Sequence, residues 1–148
     1  MKVLIDTNVL ARHSQPDHEL HPAAVRAIQQ LYSNGNLLCI VPHVLYEYWA
    51  VATRPVGERG LGLTVDEARL QVDGFRRFFL LLRDERRIYE LWQQLVQTHR
   101  VHGKPSHDAR LAAAMQRHGL THLLTFNASD FSRYAEIEAI KPQSVMTG

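Results

Sequence analysis

The sequence predicts one α/β domain, three layers of α/β/α built around a central, mostly parallel sheet. Three observations carry that prediction. The apolar runs Val3-Leu4-Ile5, 37–41 and 122–126 show no polar alternation, as expected of strands buried on both faces. Most of the chain between them has helical periodicity, which is what covers such a sheet. The 148 residues are the size of one domain with its own core, and no repeat, low-complexity segment or linker divides residues 1–148.

Composition narrows the class. Apolar residues make up 45% and charged residues 22%, which fits a globular domain. A net charge of +2 is not the footprint of a strong nucleic-acid binder. The single cysteine, Cys39, lies in an apolar run and reads as a small buried hydrophobe. A disulfide within the chain is thereby excluded, zinc–cysteine chemistry is disfavoured, and a reducing cytoplasm is the expected compartment. No apolar stretch is long enough to span a membrane, and the first strand begins too early to leave room for a signal peptide.

Taken in order, the first strand ends abruptly at Asp6. Thr7 and Asn8 follow, and residues 8–13 read as one or two helical turns. All three polar residues are good helix caps, but Asp6 also falls at the carboxyl end of a strand, where ligands collect in open α/β sheets. Residues 21–33 form an amphipathic helix with Pro22 in its first turn and Ala24, Ile28 and Leu31 on one face. Asn34-Gly35-Asn36 closes it, and 37–41 is the second strand. Pro42 opens a helix over 42–53. Glu47 shares a face there with Val44, Tyr48 and Val51, and so is expected either as a functional carboxylate or at the rim, paired with an arginine.

The glycine-bearing stretch 54–63 lacks the Lys-Ser or Lys-Thr of a phosphate-cradling loop and reads as a plain connection. Thr64 and Glu67 form a capping box for a helix reaching about residue 78. Residues 79–82 are either a short strand or that helix's buried end. A helix over 86–99 buries Ile88, Leu91, Trp92 and Leu95. Arg76, Arg77, Arg86 and Arg87 read as solvated helix faces. Ser106 is expected to cap a helix over 107–118, which Gly119 ends. Asp108 lies in its first turn, aligned with Leu111, Ala112 and Met115. The helix dipole favours an acid there, but this one is on the core side. The strand 122–126 delivers a second polar cluster, Asn127-Ala128-Ser129-Asp130, and 136–140 is a last short strand.

Asp6, Glu47, Asp108 and the Asn127/Asp130 pair are thus expected to converge on one sheet edge. Two carboxylates about 4 Å apart repel by roughly 4 kcal/mol at an effective dielectric near 20, so such a cluster must bind cations or take up protons. Oxygen ligands at this density favour Mg²⁺ or Mn²⁺ over zinc.

These segments resemble a known family. Leu4-Ile5-Asp6-Thr7-Asn8-Val9-Leu10, Val44-Leu45-Tyr46-Glu47, His107-Asp108-Ala109-Arg110-Leu111-Ala112-Ala113 and Thr125-Phe126-Asn127-Ala128-Ser129-Asp130-Phe131 are similar, in order and spacing, to the four signature segments of PIN-domain ribonucleases. The nearest pattern is that of the VapC-type toxins of toxin–antitoxin pairs. The resemblance spans essentially the whole chain. It implies a PIN-like fold and a metal-dependent endoribonuclease that hydrolyses phosphodiester bonds of an RNA substrate. It also implies a homodimer and a small antitoxin protein that covers the acidic site.

Asp6, Glu47, Asp108 and Asp130 are the implied catalytic acids. The implied metal set is the same four with Asn127, which stands where many members have Asp. Thr7, Asn8 and Thr125 correspond to residues that orient the carboxylates. Lys104, His107 and Arg110 are near enough to Asp108 in sequence to be candidates for holding RNA phosphate. The competing expectation is a catalytically weak or inactive PIN-like RNA-binding module, for which Asn127 is the main argument. An HD-type phosphohydrolase would need further histidines on facing helices. A receiver-like signalling domain would need paired acids after the first strand and a late lysine.

Overall fold

The computed structural model describes residues 1–145, so the last three residues of the expected domain lie outside the described residues. Five strands form one sheet in the order β3-β2-β1-β4-β5, and every neighbouring pair is parallel. The strands are β1 (Lys2–Ile5), β2 (Leu37–Ile40), β3 (Leu80–Leu81), β4 (His122–Leu124) and β5 (Glu138–Ile140). Six helices cover it: α1 (Thr7–His13), α2 (His21–Ser33), α3 (Pro42–Thr53), α4 (Val65–Phe78), α5 (Arg86–Thr98) and α6 (Ser106–His118). Helix α1 packs on α2 and α3, and α3 on α4, while α5 packs on α6. This is the expected three-layer architecture, with the sheet wholly parallel.

The core follows from the apolar runs. Val3, Leu4 and Ile5 in β1, Cys39 and Ile40 in β2, and Leu123 and Leu124 in β4 are fully inaccessible. Cys39 is free and buried, as its surroundings predict. Strand order then fixes the site. The chain winds outward from β1 to β2 and β3, then returns to the other side of β1 for β4 and β5. Its direction therefore reverses between β1 and β4, and in open parallel sheets the crevice at that reversal, outside the strands' carboxyl ends, is where ligands bind. Asp6 and Thr125 stand immediately beyond those two ends.

Several boundaries differ from expectation for identifiable reasons. Strand β4 stops at Leu124: the Thr125 amide still donates to the Ile140 carbonyl, but the Phe126 amide turns to Asn8 on α1. Strand β5 starts at Glu138, since the Ile137 amide is used in a turn to Tyr134. The 79–82 run resolves into the two-residue β3. Ser106 caps nothing: Pro105 already has helical backbone angles, so Ser106 is the first residue inside α6, and its carbonyl instead accepts from Trp92 Nε1 at 2.8 Å. Thr64 and Glu67 do form the capping box, at 3.0 and 2.9 Å.

The 54–63 loop is more than a plain connection. Amides of Leu61, Gly62 and Leu63 donate to the carbonyls of Val51, Arg54 and Ala52, which finishes the open end of α3. A Cβ at Gly60 would lie 1.9 Å from the Arg54 carbonyl oxygen, so only glycine permits this return.

Candidate active site

Asp6 is built into the end of β1. Its amide continues the sheet by donating to Leu124, while its side chain caps α1, Oδ1 accepting from the Thr7 amide at 2.7 Å. The other oxygen, Oδ2, accepts from Thr125 Oγ1 at 2.8 Å and from Asn8 Nδ2 at 3.4 Å. Asp6 thus caps α1 while standing at the carboxyl end of β1. Thr125, wholly buried, has its hydroxyl fully used: it donates to Asp6 and accepts from Asn8 Nδ2 and the Asn127 amide. Asn8 completes the frame by accepting from the Phe126 amide at 3.0 Å. One hydrogen-bonded unit therefore ties the end of β1 to the end of β4.

That frame carries an electrostatic cost. Asp6 is only 8% exposed. Burial pushes its carboxyl up to about 6 from an ordinary 3.8, against the hydrogen bonds from Thr125 and Thr7, with the charges of Glu47 and Asp108 adding to the rise.

Glu47 faces this unit from α3. Its Oε1 accepts from Thr7 Oγ1 at 3.1 Å and lies 3.2 Å from His43 Nε2. Burial works against its charge, but His43 and Thr7 outweigh it and hold the carboxyl below its usual range. The side chain is 43% exposed, so Glu47 sits at the rim, and its partner is a histidine one helical turn earlier rather than an arginine. The His43–Glu47 contact is close but poorly aligned, which leaves the buried Nε2 without a well-formed hydrogen bond. The His43 ring lies nearly parallel to that of His107, with centroids 6.3 Å apart.

Asp108 projects from the first turn of α6 and accepts no hydrogen bond among the described residues. Its carboxyl is raised by burial, then by Asp130 and by Glu47, with His107 and His43 acting in the opposite direction. Asp130 lies in a 3₁₀ turn, Ala128–Phe131, opened by Asn127. Both residues are exposed; Asn127 is anchored through its backbone to Thr125, while Asp130 is the nearby charge that weighs most on Asp108.

The carboxylates thus form one electrostatically coupled group, although among the described residues no three Asp, Glu, His or Cys side chains close up into a metal cage. The donor set still fits a hard divalent ion. It is all oxygen, it is anionic, and its members penalise one another in the absence of a cation. The loose spacing suits an ion that keeps several of its waters.

A sequence profile of the PIN domain matches residues 3–137. The chain belongs to the PIN-domain family. Solved structures with the same fold include VapBC-1 from nontypeable Haemophilus influenzae, at 16% identity and a TM-score of 0.70, covering 97% of this chain and 100% of that one. VapC20 of Mycobacterium tuberculosis, described as a toxin that cleaves the sarcin–ricin loop, gives 18% and 0.64, covering 89% and 95%. VapBC2 from Rickettsia felis, bound to a DNA fragment from its promoter, gives 18% and 0.65, covering 95% and 98%. No curated protein matches the chain in sequence.

In this PIN domain, the residues that the resemblance named as orienting groups do touch the acids: Thr7 holds Glu47, and Asn8 and Thr125 hold Asp6. The three basic candidates divide. His107 stacks on His43 beside the site. Lys104 is exposed just before α6. Arg110 is turned away to Asp84, at 3.3 Å. The sequence reading missed His43. Its position four residues before Glu47 on one helix was the available signal.

Proposed function

We propose that this PIN domain is a metal-dependent endoribonuclease of the VapC type, the toxin of a toxin–antitoxin pair. The observation that carries the reading is the group of acids around the β1–β4 reversal, with Asp6 buried and fixed in orientation by Thr125, Asn8 and Thr7. The likeness to VapC and VapBC structures supports it. Asp6, Asp108 and the Asn127/Asp130 turn would hold Mg²⁺ or Mn²⁺, with Glu47 completing the set. When bound, such an ion lowers the pKa of a coordinated water for in-line attack on phosphorus and stabilises the leaving oxygen.

The chain's own side chains supply the rest. Asp6 is fixed in orientation by two donors to one oxygen and one to the other. Glu47, kept ionised at the rim, is placed to accept a proton or hydrogen bond from water. His107 and Lys104 are the candidates for holding phosphate on the open side. A homodimer, a small antitoxin covering the acids and a cytoplasmic location belong to the same proposal. Among the described residues no helix is long and apolar enough to cross a membrane.

The test is cleavage of a mixed pool of structured and single-stranded RNAs with Mg²⁺, Mn²⁺ or EDTA, comparing wild type with Asp6→Asn and Asp108→Asn. Metal-dependent cutting that disappears in both variants is expected. Activity retained in both variants would sink the site. Asn127 favours one second reading, a PIN-like module that binds RNA without cutting it. Calorimetric titration separates the two, since the inert module would take up neither ion.

A further inference from the structure

A second feature borders the acidic site. Between α5 and the start of α6 lies a pocket of about 470 Å³ lined by Tyr89, Trp92, Ile88, His107, Arg110 and Asp84. Tyr89 and Trp92 stack there, with ring centroids 6.0 Å apart and planes 29° from parallel. Tyr89 is 58% exposed. Trp92 is fixed at its far end, its Nε1 donating to the Ser106 carbonyl, so the aromatic wall is tied to the first turn of α6 that carries Asp108. His107 belongs to both places: it lines this pocket and stacks on His43 beside Glu47.

From this arrangement we infer that the Tyr89–Trp92 pocket receives an unpaired nucleobase of the RNA strand next to the phosphate being cut. The inference rests on the ribonuclease reading and extends it to the substrate. An aromatic face accepts any base by stacking. At the rim, the Arg110–Asp84 pair offers a donor and an acceptor side by side, the requirement for reading a base edge. The charges suit a polyanion: Asp84 is matched by Arg110 and Glu85 by Arg117, which leaves exposed Arg83 and Arg86 on either side of the two acids in the chain.

The experiment is cleavage of single-stranded RNA randomised around the cut by wild type, Tyr89→Ala, Tyr89→Trp and Tyr32→Ala. Tyr32 is a comparably exposed aromatic packed near Phe78, outside this pocket. Loss of one stacked base predicts that Tyr89→Ala loses roughly 5- to 150-fold in kcat/KM and that base preference flattens at one position. Tyr89→Trp is expected to keep both, and Tyr32→Ala to behave as wild type. Undiminished cleavage with unchanged preference in Tyr89→Ala overturns the subsite while leaving the ribonuclease intact. Conversion of that variant from dimer to monomer with unchanged preference also overturns it, because the face would then belong to a second copy. Should wild type cut no RNA, the ribonuclease reading fails separately, and an oligonucleotide carrying 2-aminopurine reads the pocket. Quenching by wild type that Tyr89→Ala loses supports the base site. Absence of quenching by wild type overturns it.

Discussion

The two halves of the acidic site are built on opposite terms. Asp6 has donors on both oxygens and is almost sealed from water. Asp108, with Asn127 and Asp130 nearby, has no donor on its carboxylate among the described residues, and the turn opposite it is exposed. Both carboxyls are nevertheless raised. The difference shows that hydrogen bonding alone does not settle a buried charge here. Donors fix where Asp6 points, while the mutual repulsion of the acids is left unrelieved. One half orients and the other stays adaptable.

The largest expected effect tests whether the halves depend on each other. Asp6→Asn and Asp108→Asn should each reduce RNA cleavage roughly 100-fold or more, beyond the loss typical of a supporting partner. If only one of them matters, the halves are not one site, and single-turnover cleavage at saturating Mn²⁺ would reveal it.

The same Asp6→Asn substitution should stabilise the metal-free protein. A folded pKa of about 6 against 3.8 means that the native state holds its proton more tightly than the unfolded chain does. The associated stability is fully present below about 3.8 and is lost as pH rises through about 6. At pH 7 the ionised Asp6 therefore costs about 3 kcal/mol at most. Asn removes that cost but turns its NH2 toward either the Thr7 amide or the Thr125 and Asn8 donors. In EDTA the variant should therefore have the higher Tm at pH 7, by less than the full cost of about 3 kcal/mol, with the gap closing toward pH 4. Added Mg²⁺ or Mn²⁺ should raise the Tm of wild type and not of the variant. A variant less stable than wild type at pH 7 would mean that the Thr125–Asn8 frame stabilises the charge more than burial and its acidic neighbours penalise it.

Next in size is the frame itself. Thr125→Val keeps the shape but removes the hydroxyl that Asp6, Asn8 and the Asn127 amide share. Stability should fall by about 1–3 kcal/mol, because buried partners are left unsatisfied. Metal affinity should fall roughly 10- to 100-fold, the usual consequence of losing an orienting partner. Denaturant unfolding and calorimetry measure the two separately. Lost affinity with unchanged stability would mean that the frame serves only to aim Asp6.

This contrast also explains what the sequence could reveal. Asp6 was legible because an uninterrupted apolar run ending in an acid is a local pattern, and strand ends gather at one edge of a parallel sheet. The fold followed from the same runs. Glu47 was legible as an unusual acid on an apolar stripe; its partner was passed over because a histidine beside that stripe reads as core, although the i,i+4 spacing to Glu47 was there to be read. Ser106 misled because an N-cap must itself have non-helical backbone angles, and here the helix already includes Ser106 after Pro105. Tyr89 and Trp92 were hidden for a further reason. Periodicity assigned Trp92 to the core and did not single out Tyr89; the side-by-side stacking of neighbouring turns on α5 is a three-dimensional fact.

The smallest expected effect asks which residue serves the adaptable half. Asn127 opens the turn and is tied through its amide to the Thr125 hydroxyl, whereas Asp130 is the charge that Asp108 feels most after burial. If Asp130 supplies the fourth carboxylate, Asp130→Asn should weaken Mn²⁺ binding several-fold, and Asn127→Asp should add little because a fourth acid is already present. If Asn127 holds the position, the order reverses: Asn127→Asp tightens binding by the added charge, and Asp130→Asn is nearly silent. The double variant Asn127→Asp/Asp130→Asn keeps the net charge and moves it three residues, so its calorimetric isotherm isolates position from charge. Recovery of wild-type affinity would mean that the turn lets either residue reach the ion. Failure to recover would fix the ligand at Asp130 and give the exposed half a defined geometry like that of Asp6.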